Sequence, residues 1–289
     1  MDFKGSYVAL VTPFKDGKVD GESYRKLIEF HIDNGTDGIL ACGTTGEAAT
    51  MSTEEHKAHL EITVETVNGR VPVLAGTGSN STEEAVGLTS FAKKAGCDAA
   101  LVVTPYYNKP TPEGQYRHFS RIASEVDIPI MLYNVPGRTG TCMLPETIAR
   151  LSAVDNIVAV KEASGSVQQV MDILSRCDIT VMSGDDAQTL PFMSVGASGV
   201  VSVVANIVPG KMRDLVELCA SGDMEGARKL HYEILGLCGA MFIETNPLPV
   251  KTSMSMMGLI EKEWRLPLCE MLPQNEDKLR KVLEQYGMI

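Results

Sequence analysis

Eight short apolar runs punctuate the chain, and longer segments with a different rhythm separate them. The runs are residues 7–13 (YVALVTP), 38–43 (GILACG), 71–78 (VPVLAGTG), 99–105 (AALVVTP), 128–135 (IPIMLYNV), 157–163 (IVAVKEA), 179–186 (ITVMSGDD) and 199–206 (GVVSVVAN). They are rich in β-branched residues and apolar on both faces, as strands are in a parallel sheet covered by helices. The intervening segments, such as 22–35 and 81–96, begin on a polar cap, place apolar residues three and four apart, and end on glycine. A strand–helix unit therefore recurs eight times, roughly every 20 to 30 residues, which predicts a (β/α)8 TIM barrel. A doubly wound open sheet is the alternative, but it normally needs fewer units and expects a glycine fingerprint after the first strand, which this chain lacks. The repeat is complete by Ser221. Residues 222–289 hold no strand candidate and read as a helical extension of about three helices, giving a barrel over 1–221 and an extension over 222–289.

Composition narrows what such a barrel does. With 44% hydrophobic and 22% charged residues, the 289-residue chain is ordinary for a globular protein. A net charge of −11 argues against a nucleic-acid partner, though not against a small anion held by one or two local cations. No apolar run approaches the roughly 20 residues that span a bilayer, and the first residues lack a signal-peptide pattern. The seven scattered cysteines, odd in number and without a CxxC pair, suit reduced thiols in the cytoplasm.

In a barrel of this kind the reactive groups lie at the C-terminal ends of the strands and in the loops that follow. Lys161 is the only lysine within a candidate strand, near the C-terminal end of the sixth. Two readings are open for it. It is a structural lysine paired with Glu162 or Asp185, or it is an amine kept neutral by desolvation and so a nucleophile toward carbonyls. Tyr133 ends the neighbouring strand, where a phenol either shuttles protons or merely satisfies its hydroxyl at the rim. Residues 43–47 (GTTGE) offer two hydroxyls and backbone N–H groups ahead of a helix N-terminus, a setting for a small carboxylate. Arg138, in 133–140 (YNVPGRTG), is either a bidentate carboxylate ligand or a surface loop arginine.

Taken together, 43–47 (GTTGE), 104–110 (TPYYNKP), 133–140 (YNVPGRTG), 160–164 (VKEAS) and 183–186 (SGDD), with 246–251 (NPLPVK) in the extension, closely resemble the dihydrodipicolinate synthase family of pyruvate-dependent class I aldolases, which also includes N-acetylneuraminate lyase. The resemblance covers essentially the whole chain. It implies a Schiff-base-forming carbon–carbon lyase in which Lys161 condenses with pyruvate and the enamine attacks L-aspartate 4-semialdehyde, on the diaminopimelate route to L-lysine. It further implies that Tyr133, Thr44 and Tyr107 relay protons, with Tyr107 supplied by a neighbouring subunit of a homotetramer. Thr45, Val201 and Gly184 would line the pyruvate pocket, and Arg138 would hold the semialdehyde carboxylate. Feedback inhibition by L-lysine would use Ala49, His56, Asn80, Glu84 and Tyr106, while Thr53 stands where relatives carry a further histidine. The alternative reading of Glu84 is a plain one, in which it closes a capping box from Ser81. An aldolase using a sugar-derived aldehyde is the alternative, and Arg138 speaks against it.

Neither a metal nor a cofactor is expected, because a lysine imine is itself the electron sink. His56 and His59, three apart on a helix with no third ligand, read as a solvated helix face. Asp185 and Asp186 could suggest a divalent cation but are set aside on the same ground.

Overall fold

Parallel pairing joins eight strands into one closed barrel, in the computed structural model that describes residues 3–289. Residues 1 and 2, with which the expected barrel segment begins, lie outside the described residues. The barrel strands are β1 (Gly5–Ala9), β4 (Gly38–Ala41), β5 (Val73–Gly76), β6 (Ala99–Val103), β7 (Ile130–Asn134), β8 (Ile157–Glu162), β9 (Thr180–Ser183) and β10 (Gly199–Ser202). They follow one another in order, and β1 pairs with both β4 and β10 to close the ring. A small antiparallel hairpin, β2 (Phe14–Lys15) with β3 (Lys18–Val19), hangs after the first strand and escaped the sequence pattern because each arm is two residues long.

Alternation along each strand sorts its side chains. Val160 and Leu132 face outward and pack under the surrounding helices. Ala159, Met131, Leu101, Leu74, Tyr7 and Val201 face inward and fill the barrel, so its interior is a packed core. Lys161 has the parity of Ala159 and therefore points inward, whereas Glu162 has the parity of Val160 and points out.

After the last barrel helix, Pro209–Ser221, come helices Met224–Ala240, Leu248–Met256 and Pro273–Gln285. Leu237, Val250, Met254 and Leu279 share one apolar cluster with Val8, Val204 and Met212 of the barrel. Helix Leu248–Met256 is buried along Leu248 to Met254, which brings its N-terminal end against the barrel mouth. Among the described residues no helix is long and apolar enough to cross a membrane, and the cysteines are free thiols.

Candidate active site

Lys161 is 5% exposed and lies directly across from Tyr133 in the β7–β8 register. Its Nζ stands 4.5 Å from the Tyr133 ring centroid. Among the described residues no carboxylate comes within ion-pair distance of it. Glu162 is committed on the outer face, where its carboxylate accepts from Asn134 Nδ2 at 2.9 Å and from Ser164 N at 2.7 Å. Asp185 turns its Oδ1 to the N–H of Ala187 at 3.0 Å. Neither acid named as a structural partner is thus paired with Lys161. Burial pushes its ammonium down to about 8; Asp186 opposes that shift, and Arg138 adds to it. Gly184 packs so close that a Cβ there would lie 2.9 Å from Lys161 Cε, so only glycine leaves the amine room.

A cavity of about 120 Å³ opens over Lys161, lined by Thr44, Thr45, Tyr133, Arg138, Gly184, Val203 and Asn246 among others. The Tyr133 hydroxyl is raised by burial, while Arg138 and a hydrogen bond with the Thr44 side chain pull it back. That set joins a neutralisable amine, a phenol and a hydroxyl around one small volume. Asn246 spans two of its walls: its Nδ2 donates to Thr45 Oγ1 at 3.0 Å, and its main-chain oxygen accepts from Arg138 Nη2 at 3.0 Å. Arg138 is therefore not a free loop arginine. Val201, by contrast, does not line the cavity; it lies below, buried in the inner core, and Val203 lines the wall instead.

The 43–47 turn ends on Glu47, a non-glycine residue at φ 53 whose carboxylate is buried. Lys251 Nζ donates to its Oε1 at 2.5 Å, and Arg265 N donates to its Oε2 at 3.3 Å. The Lys251 and Arg265 cations also sit on the Phe14 ring, 4.3 and 4.5 Å from its centroid.

Beside this cavity, and sharing Thr44, Tyr133, Arg138 and Asn246 with it, lies a cleft of about 410 Å³. Ala49, Thr53, His56, Glu84 and Tyr106 line it. Asn80 does not, but its Nδ2 donates to the Tyr106 carbonyl at 3.2 Å. The capping box expected at Ser81 is not closed by Glu84: Ser81 takes the Glu84 N–H, but the Glu84 carboxylate accepts from Ser79 Oγ. The solvated-face reading of His56 and His59 is also wrong, since they are 7% and 1% exposed. His59 lies against Tyr24 with ring centroids 3.9 Å apart, and burial drives its imidazole down to about 3. Tyr107 stands apart from every other candidate, 90% exposed at φ 69, and lines neither cavity.

Sequence reasoning did not single out Asn246, Glu47 or Lys251 for a role in the site. All three act between the extension and the 43–47 turn, and only the NPLPVK motif hinted at that segment.

A family model described as the dihydrodipicolinate synthetase family matches residues 2–286. A 4-hydroxy-tetrahydrodipicolinate synthase from Syntrophobacter fumaroxidans is 56% identical, over 99% of this chain and 100% of its own. The crystal structure of dihydrodipicolinate synthase from Aquifex aeolicus superposes with a TM-score of 0.98 at 51% identity, covering 99% of both chains. The enzyme of Cyanidioschyzon merolae, solved with lysine bound, superposes at 0.96 with 40% identity, again over 99% of both.

Proposed function

The chain belongs to the dihydrodipicolinate synthetase family, and from that premise we propose that it condenses pyruvate with L-aspartate 4-semialdehyde, through an imine on Lys161, to give 4-hydroxy-tetrahydrodipicolinate in the diaminopimelate route to L-lysine. The observation that carries the assignment of roles is an unpaired, buried lysine facing a tyrosine across one small cavity. Neutral Lys161 Nζ attacks the keto carbon of pyruvate, and the carbinol oxygen leaves as water after accepting a proton from Tyr133. The Tyr133 phenolate left by that transfer takes a methyl proton and converts the imine to an enamine, whose terminal carbon bonds to the aldehyde carbon of the semialdehyde. The new alkoxide takes a proton through Tyr133 and Thr44, and the amino group contributed by the semialdehyde then attacks the imine carbon, closing the ring and displacing Lys161 as the free amine. Thr45 binds the pyruvate carboxylate, Gly184 leaves space for it, and Arg138 holds the carboxylate of the semialdehyde.

Borohydride reduction with pyruvate present tests this. The pyruvate-derived mass should fall on Lys161, and a label on Lys109 or Lys251 overturns the assignment.

The exposure of Tyr107 supports its serving a neighbouring subunit's relay in a homotetramer. Sedimentation that finds a fully active monomer removes that role. The cleft lined by Ala49, His56, Glu84 and Tyr106 is proposed as an L-lysine inhibitor site, weakened by Thr53, with Asn80 supporting Tyr106. Lysine should inhibit wild type partially and Glu84→Thr not at all; a wild type indifferent to millimolar lysine means the cleft is silent. The free thiols support a cytoplasmic location.

A further inference from the structure

We infer that Asn246 is a positioning residue that makes Thr45 a hydrogen-bond donor toward the pyruvate carboxylate, an inference that rests on the function proposed above. Thr45 is 3% exposed and carries one hydroxyl, which is both donor and acceptor. Asn246 Nδ2 donates to that oxygen at 3.0 Å, filling an acceptor position. The hydroxyl hydrogen must then point elsewhere, and Thr45 lines the cavity over Lys161. A carboxylate is acceptor-only, so a threonine is useful to it only when its hydrogen is turned that way. Left alone, the hydroxyl rotates, and part of its binding energy is spent on fixing it.

Asn246 is well placed to act with little motion. It is 5% exposed, and its main-chain oxygen is held by Arg138 Nη2 at 3.0 Å. One residue of the extension thus touches both the pyruvate side and the semialdehyde side of the cavity, but by different atoms. Its side chain serves Thr45, and its backbone serves Arg138. This separation gives the inference a signature that general loosening of the site does not share, because changes to the side chain spare the backbone contact.

The test is steady-state kinetics with both substrates varied, on the full-length protein. Asn246→Ala should raise KM for pyruvate about 10-fold, in line with losing part of a hydrogen bond to a charged group. KM for the semialdehyde and kcat should stay within about 3-fold. Asn246→Asp should be worse for pyruvate, roughly 100-fold, because it accepts the Thr45 hydrogen and sets a like charge near the carboxylate. In a Thr45→Val background, Asn246→Ala should add less than about 2-fold, since the hydroxyl it orients is gone. Equal rises in both KM values, full additivity with Thr45→Val, or an Asn246→Asp enzyme with wild-type pyruvate affinity would each overturn the inference. Trapping on Lys161 by borohydride at saturating pyruvate should persist in every Asn246 variant. If wild type traps at Lys161 and the Asn246 variants behave as wild type, only this inference fails; if wild type does not trap there, the proposed function fails first.

Discussion

Two lysines are buried near the barrel mouth, and of the two only Lys251 has an ion-pair partner among the described residues. Lys161 and Lys251 are 5% and 0% exposed, and each lies over an aromatic ring, Tyr133 for the first and Phe14 for the second. Their difference is the counter-ion. Lys251 donates to the buried Glu47 carboxylate at 2.5 Å, and that contact opposes the downward push that burial exerts on its ammonium. Lys161 has only the more distant Asp186 working against desolvation, so its ammonium falls to about 8. Burial lowers both ammonium groups, and at Lys251 a directly paired carboxylate opposes it.

The largest way to break this comparison is at the nucleophile. Lys161→Arg should fold but lose activity by about 10⁴-fold or more, since a guanidinium stays protonated and forms no imine. Lys251→Arg should retain most of its activity, because an arginine can keep Glu47 paired. A Lys161→Arg enzyme with substantial turnover would mean that another amine does the chemistry.

Stability should separate the two lysines with opposite signs. Lys251→Met strands a buried Glu47 carboxylate and should cost about 3–5 kcal/mol, most of it recovered by adding Glu47→Gln. Lys161→Met should instead stabilise. The folded ammonium titrates near 8 and the free one at 10.5, so wild type carries a penalty of up to about 3 kcal/mol wherever both states are protonated. That penalty is complete below pH 8 and fades as pH rises toward 10.5, so the gain from Lys161→Met should shrink over the same window. Denaturant titrations at pH 7 and pH 10 read both signs, and a Lys161→Met protein less stable than wild type at pH 7 would mean that its charge is paired after all.

Arg138→Leu comes next in size. It removes a cation that lines the cavity and should lower kcat/KM for the semialdehyde by about 2 kcal/mol, roughly 30-fold, while pyruvate still forms the trapped imine. Normal turnover of the semialdehyde would demote Arg138 to a residue that merely buttresses Asn246.

How much of this was legible in the chain follows from range. Strand parity is local, and runs such as 157–163 are apolar on both faces, so the barrel and the inward aim of Lys161 could be read from sequence. The contacts that tie the extension to the 43–47 turn are not local: Asn246 to Thr45 spans 201 positions and Lys251 to Glu47 spans 204. No periodicity encodes such pairs. His56 and His59 misled for a related reason, because helical spacing does not tell which face another element covers. Tyr107 was read from resemblance alone, and a single chain leaves it in solvent.

The smallest effect tests the counter-ion argument most directly. Asp186 is 2% exposed, and its Oδ2 accepts from the N–H groups of Val203 and Val204 at 3.1 and 2.9 Å. An asparagine oxygen can accept both bonds, so Asp186→Asn should keep the backbone of the cavity wall while deleting the charge. The Asp186 carboxylate holds the proton on Lys161 against burial and the Arg138 cation. Without it the amine should deprotonate more readily, and the pH midpoint for imine formation should move below about 8. At pH 7 a larger share of the amine is then neutral, so the rate constant for trapping pyruvate should rise relative to its alkaline plateau. Burial raises the Asp186 carboxyl itself, which sets the condition for the effect: the charge must be present where Lys161 titrates. Trapping rates followed from pH 6 to 10 in both proteins decide it, and an unmoved midpoint would show that Asp186 is held neutral and that desolvation and the Arg138 cation tune Lys161 without it.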